Sequence, residues 1–221
     1  MQKNNRLEAF TDAAFAFALT LLAISGDQMP ESIEELKSAL HQVPSFIASA
    51  ALLIMFWYQH QQWSRSYQTN DIGAVLLTSL LVCTVLIYVY PLKMVFSGFL
   101  HWLSAGYLKP SFDAQSAADI YSLFTIYAYG YITMCLSMYW LYRHSLKHRM
   151  QLNLAKVEVL TAQLQSKSFL LLAFPGFLSL IFSYTMPERW LFLTGMIYSL
   201  LGIIMPLYGV YAGRQLKALE E

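Results

Sequence analysis

Charge is what this 221-residue chain lacks most: Asp, Glu, Lys and Arg make up 12% of it, against roughly 25% in an ordinary soluble domain. What charge there is nearly cancels, 14 cations against 13 anions, so no basic stripe exists to neutralise phosphates and nucleic acid is excluded as a partner. Cysteine is almost absent. Cys83 and Cys135 each lie inside an apolar run, without the spacing of a disulfide framework or a metal site, and read as small packing residues. Catalytic signatures are missing too: there is no His-Glu-x-x-His, paired-Cys motif, glycine-rich phosphate loop or Gly-x-Ser-x-Gly elbow. Neither an enzyme, a cofactor nor a resident metal is therefore expected. The first apolar run is followed by Gly26-Asp27-Gln28-Met29-Pro30 without a small-x-small cleavage pattern, so that run is expected to stay in the mature protein. No internal repeat appears.

Apolar length is what the chain has instead. Hydrophobic residues make up 57% of it, in six stretches that reach the ~20 residues needed to cross about 30 Å of hydrocarbon. They centre on 6–25, 44–64, 72–100, 117–142, 168–186 and 189–212 and leave no soluble domain over. The expected fold class is all-α, a single polytopic membrane domain over 1–221 with six transmembrane helices. Between the fourth and fifth spans, Met150, Leu154, Val157, Leu160 and Leu164 recur at steps of three and four, which predicts an amphipathic segment over 148–166. It can continue the fourth span, lie on the membrane surface or pack on a copy of itself. Pro175-Gly176 and Pro206 are expected to bend the last two helices.

Lys and Arg set the orientation. Lys3, Arg6, Arg65, Arg143, Lys147, Arg149, Lys156, Lys167, Arg214 and Lys217 fall on one side, and only Lys37, Lys109 and Arg189 on the other. Ten against three places both termini in the cytoplasm. Lys93, just after Pro91, is expected near the outer end of the third span, where it can snorkel. The first outer loop carries Asp27, Glu31, Glu34 and Glu35 against Lys37; it reads as a solvated loop with a helix start at Ser32, or as an acidic mouth that concentrates cations.

Few polar side chains lie at membrane depth. Asp12 sits about two turns inside the first span, where a carboxylate is tolerated only against protein or water. His60 follows Phe56-Trp57-Tyr58-Gln59 at a similar depth on the second span; either it partners Asp12, or Trp57, His60 and Trp63 form an interfacial belt. His144 and His148 are four apart beside Arg143, Lys147 and Arg149, and read as part of the positive boundary rather than as a metal site. Gly130, within Ile126-Tyr-Ala-Tyr-Gly-Tyr-Ile-Thr133, is mid-helix, and reads as a point of close helix packing rather than a carbonyl filter.

At 100° per residue Phe10, Ala13, Phe17, Thr20 and Ile24 share one stripe of the first helix, with Leu21 at its edge and Arg6 at its start. Asp12 lies well off it. A stripe of this kind is either ordinary bundle packing or the apolar wall of a conduit with one hydroxyl layer, and one helix per chain encloses a conduit only if several chains surround an axis.

The run Arg6-x-x-x-Phe10-Thr11-Asp12, continuing into Phe15-Ala16-Phe17-Ala18-Leu19-Thr20-Leu21-Leu22, resembles the signature of the transmembrane protein 175 family, the lysosomal potassium channels and their bacterial relatives. The family pattern is Arg-x-x-x-Phe-Ser-Asp running into Phe-Ala-x-x-x-Thr-Leu-Leu. Phe56-Trp57-x-x-His60 and the Pro91 region extend the likeness. The resemblance implies a potassium-selective, otherwise leaky channel without a carbonyl filter, lined by the first helices of a homotetramer of single-repeat chains in a bacterial inner membrane. Potassium ions, lipid and further copies of the chain would be its partners. Carried over by position, Phe17, Leu21 and Ile24 correspond to apolar constriction levels and Thr20 to the hydroxyl layer beside them. Arg6, Phe10, Thr11 and Asp12 correspond to the signature that anchors the helix, with Trp57 and His60 as its neighbours. Thr11 stands where Ser is usual and keeps the hydroxyl; Phe17 is bulkier than the Ile or Leu of the family. Two other readings remain on the residues alone: a proton-coupled or small-solute transporter using Asp12 and His60, and a non-conducting scaffold in which they only fix packing.

Overall fold

The computed structural model describes residues 5–24, 31–67, 71–187 and 190–220. Lys3, Asp27 and Arg189 lie outside them, as does the whole of Gly26-Asp27-Gln28-Met29-Pro30. Among the described residues every regular element is helical: α1 (Asn5–Ile24), α2 (Ile33–Leu40), α3 (Val43–Tyr67), α4 (Ile72–Leu103), α5 (Ala117–Lys147), α6 (Lys156–Thr185), α7 (Leu191–Met196), a 3-10 turn (Ile197–Leu200) and α8 (Leu201–Glu220). Helices α1, α3, α4, α6 and the stretch Leu193–Leu219 are long and apolar enough to cross a membrane. α5 has the length as well, and carries no charged residue between Asp119 and Arg143. The described residues thus hold six stretches long enough to span a membrane, and the chain is an all-α membrane protein.

Side chains cap several helix starts. Ser32 accepts the Glu35 N–H at the start of α2, and Asp71 accepts the Ala74 N–H at the start of α4. Ser116 and Asp119 form a reciprocal box at the start of α5.

α5 and α6 form the most extensive helix pair; α4 packs on α5, α1 packs across α3 and α4, and α8 lies against α6. Small residues make the close approaches. A Cβ on Gly130 of α5 would lie 2.3 Å from the Tyr88 ring of α4, and one on Gly176 of α6 would lie 2.7 Å from Ile132 of α5. Gly130 is therefore a packing residue, as its mid-helix position suggests. Phe56, Tyr131 and Phe169 join α3, α5 and α6 at the centre.

Two expectations need correction. The segment 148–166 is neither a separate surface helix nor an extension of the fourth span. The chain turns between α5 and α6, with Asn153 in the left-handed region (φ 50°) that Asn adopts more readily than most residues, and from Lys156 the helix runs unbroken to Thr185. At 1.5 Å per residue its 30 residues are longer than the hydrocarbon is thick, so its polar first turns have room to project. Its apolar stripe is only partly used: Leu164 is buried while Met150 and Val157 are exposed. The sixth span is not one helix either, since a 3-10 turn interrupts it at Ile197–Leu200, ahead of Pro206.

Candidate functional site

α1 lies along one side of the bundle and divides into two faces. Thr11, Phe15, Ala18 and Leu22 are buried against α3 and α4. On the opposite side Phe10 is 52% exposed, Phe17 56% and Ile24 67%, and Ala13 and Thr20 are exposed with them. Leu21 is half-buried and packs on the core, at the margin between the faces. Arg6 is exposed at the start of the same stripe. Apart from Arg6 the stripe carries no charge, and the Thr20 hydroxyl donates to the Ala16 carbonyl (3.0 Å), which leaves its oxygen lone pairs facing outward.

The exposed face contains one regularity the hydrophobic pattern does not single out. Ala9, Ala16 and Ala23 are exposed beside Phe10, Phe17 and Ile24, each set repeating every seven residues. Seven residues is close to two helical turns, so large and small side chains form parallel rows with levels about 10.5 Å apart. A row of alanines lets another helix approach closely.

Polar contacts hold the packed face. Trp57 Nε1 of α3 donates to Asp12 Oδ1 at 2.7 Å, a short bond to a carboxylate. One turn earlier, Arg65 lies 3.4 Å from Glu8, a pair absent from the sequence reading. The Thr11 hydroxyl turns back onto the Leu7 carbonyl (2.8 Å), so Thr11 contributes packing rather than a bond to a neighbour.

His60 is buried and is not the hydrogen-bond partner of Asp12. Its Nε2 pairs with Thr78 Oγ1 of α4 at 3.0 Å, while the partner of Asp12 is Trp57. Nor do His60 and Trp63 face outward as belt residues would: Trp63 is buried and donates to Ser145 of α5 (3.0 Å). Tyr67 donates to the Glu158 carbonyl of α6 (3.2 Å). The last three turns of α3 thus bond in succession to α1, α4, α5 and α6. Thr78, Ser145 and Glu158 carry no local signal of these roles, since each meets α3 only through the tertiary fold.

A second polar cluster lies at the start of α4. His144 Nε2 donates to Asp71 Oδ2 at 2.6 Å, and His148 Nδ1 donates to the His144 carbonyl at 3.0 Å. Partial burial pushes the Asp71 carboxyl up, but the Ala74 N–H and the two histidines outweigh it and hold it below its usual range.

The family model described as endosomal/lysosomal potassium channel TMEM175 matches residues 6–91, which span the stripe, its anchors and α4 as far as Pro91. A protein of Marivirga tractuosa named potassium channel is 30% identical over all of this chain and 92% of its own length. Among solved structures, a single-residue variant of the potassium channel MtTMEM175, in complex with a nanobody–MBP fusion, superposes with a TM-score of 0.82 at 28% identity, over 97% of this chain and 94% of that one. A lysosomal potassium-selective channel TMEM175 homologue from Chamaesiphon minutus shares the fold, with a TM-score of 0.62 at 17% identity over 96% and 99% of the two chains.

Proposed function

The chain belongs to the TMEM175 family of potassium channels, and on that premise we propose that it conducts potassium ions through a pore made by the first helices of four copies. The observation that carries this reading is the exposed stripe of α1. Among the described residues, an uncharged face of Phe10, Ala13, Phe17, Thr20 and Ile24 is left uncovered by the chain itself, while the opposite face is packed and bonded to α3 and α4. Set around a four-fold axis, that face covers itself and encloses a conduit. The rows divide the work: Phe17 and Ile24 narrow the axis, Thr20 supplies hydroxyl oxygens between them, and Ala9, Ala16 and Ala23 admit the neighbouring helix. Leu21 contributes from the margin. Apolar rings of this kind limit passage by dewetting, and selection rests on how well a cation sheds water against the Thr20 layer.

Asp12 and Trp57, with Thr11 packed beside them and His60 tying α3 to α4, form the anchoring set, while Arg6 and Phe10 stay on the exposed stripe. The excess of Lys and Arg on one side supports cytoplasmic termini, in keeping with the inner membrane of a bacterial cell. A relay transporter loses its basis once Asp12 and His60 have separate partners. Catalysis has no part in this reading.

Recording from purified protein in a planar bilayer tests it. Single-channel currents carried better by potassium than by sodium are expected, and protein that passes no cation would overturn the proposal.

A further inference from the structure

The structure assigns to Asp71, His144 and His148 a binding site for a divalent transition-metal ion, Zn²⁺ by the chemistry of the donors. Two helices build it. Asp71 caps α4, while His144 in the last turn of α5 and His148 at its C-cap stand four residues apart. One ligand atom from each residue lies within 4.8 Å of the other two. Two imidazoles and one carboxylate are the donor set of three-ligand zinc sites, in which a fourth position stays open to water.

The outer groups prepare the ligands. His148 donates its Nδ1–H to the His144 carbonyl, which sets the tautomer and leaves Nε2 with a lone pair. Asp71 Oδ1 accepts the Ala74 N–H, which leaves Oδ2 for His144 or for an ion. Gly73 makes room for the cluster: a Cβ there would lie 2.7 Å from His144 Cε1. For His144 Nε2 to ligate, the hydrogen it now donates to Asp71 moves to Nδ1, so that a neutral imidazole binds and Asp71 Oδ2 is freed for the ion. Arg143, Lys147 and Arg149 at the same end of α5 oppose a dication, so the site is weaker than a closed four-ligand one.

The histidine pair alone reads as part of a basic boundary. The third ligand comes from a residue 73 positions away that the fold delivers. The inference rests on neither conduction nor the pore, and its test reads neither.

Tag-free full-length protein is titrated with Zn²⁺ by calorimetry, and with Co²⁺ by visible absorption, whose d–d bands report coordination. The expected result is one ion per chain, with a rise in thermal midpoint on saturation. H148A and D71N should each lower affinity about tenfold or more and abolish the rise, whereas H101A should leave both intact. Asn is a good N-cap, so D71N keeps the start of α4; should it nevertheless fail to fold, H148A alone decides. Binding unchanged in H148A, or no saturable binding by the parent protein, would overturn the assignment.

Discussion

In the proposed arrangement the bond between Asp12 and Trp57 sets where the stripe on α1 points, and its strength is open to measurement. It is short, 2.7 Å, has a carboxylate as acceptor and is partly buried between helices. Hydrogen bonds to charged groups contribute about 1.5–3 kcal/mol in soluble proteins, whereas interhelical bonds inside membranes average about 0.6 kcal/mol with a maximum near 1.7. The charged acceptor argues for the top of the membrane range, so a coupling of about 1.5 kcal/mol is expected, roughly a tenfold change in the folding equilibrium. The perturbations are D12A, W57F and the pair together, read by equilibrium unfolding in mixed micelles; Asn in place of Asp12 would keep an oxygen that accepts from Trp57. Each single change should cost more than the second change made in the background of the first. A coupling under about 0.5 kcal/mol, with additive single effects, would refute the anchoring role. A companion measurement separates anchor from pore: folded D12N channels should conduct much as the parent does. Conduction lost from fully stable D12N would move Asp12 from the packed face into the ion path.

Two further substitutions test the division of faces. F17A removes four rings from the proposed axis and should raise unitary conductance or weaken discrimination between potassium and sodium; recordings indistinguishable from the parent would take Phe17 out of the pore. G130A puts a methyl 2.3 Å from the Tyr88 ring, whose hydroxyl is held on the Tyr127 carbonyl, and should destabilise by about 1–3 kcal/mol in the same unfolding assay. G202A, with nothing within 4 Å, is its control and should stay within about 1 kcal/mol, the helix-propensity range.

Periodicity made the two faces of α1 legible because a helix has one geometric rule, 100° per residue, and the exposed residues of α1 follow it. Asp12 was legible as a group in need of a partner, but not the partner itself. Trp57 and His60 were both within reach by depth, and the choice between them depended on Thr78, which lies 18 residues beyond His60 on α4 and claims its ring. Glu8 and Arg65 escaped notice because surface charges at helix ends are common and a pair 57 positions apart leaves no local trace. The alanines of α1 are illegible in the sequence for a different reason. Small residues score weakly in any hydrophobic pattern, and a row of them gains meaning only when their exposure is known. The segment 148–166 misled because an amphipathic stripe describes one helix face without saying where the helix ends. No breaker separates Lys156 from the apolar residues that follow, and the turn that does exist uses Asn153 rather than Gly or Pro.

The anchors and the stripe are physically linked through helix rotation. A slip of one residue turns α1 by 100° and would replace Phe10, Ala13, Phe17 and Thr20 at the exposed face with Thr11, Ala14, Ala18 and Leu21. Apolar packing alone resists such a slip weakly, because both rows are uncharged and largely apolar. Directional contacts resist it better. Glu8 and Asp12 are four residues apart and meet Arg65 and Trp57, both on α3, so a rotation that breaks one breaks both. The Arg65 pair is exposed and contributes little by itself, under about 1 kcal/mol. The larger share falls to Trp57, whose bond is shorter and better shielded. α3 in turn is fixed by His60, Trp63 and Tyr67 to three other helices, so the rotational setting of α1 is referred to the whole bundle. On this reasoning the costly carboxylate at membrane depth is tolerated for the geometry it imposes on an otherwise featureless apolar face.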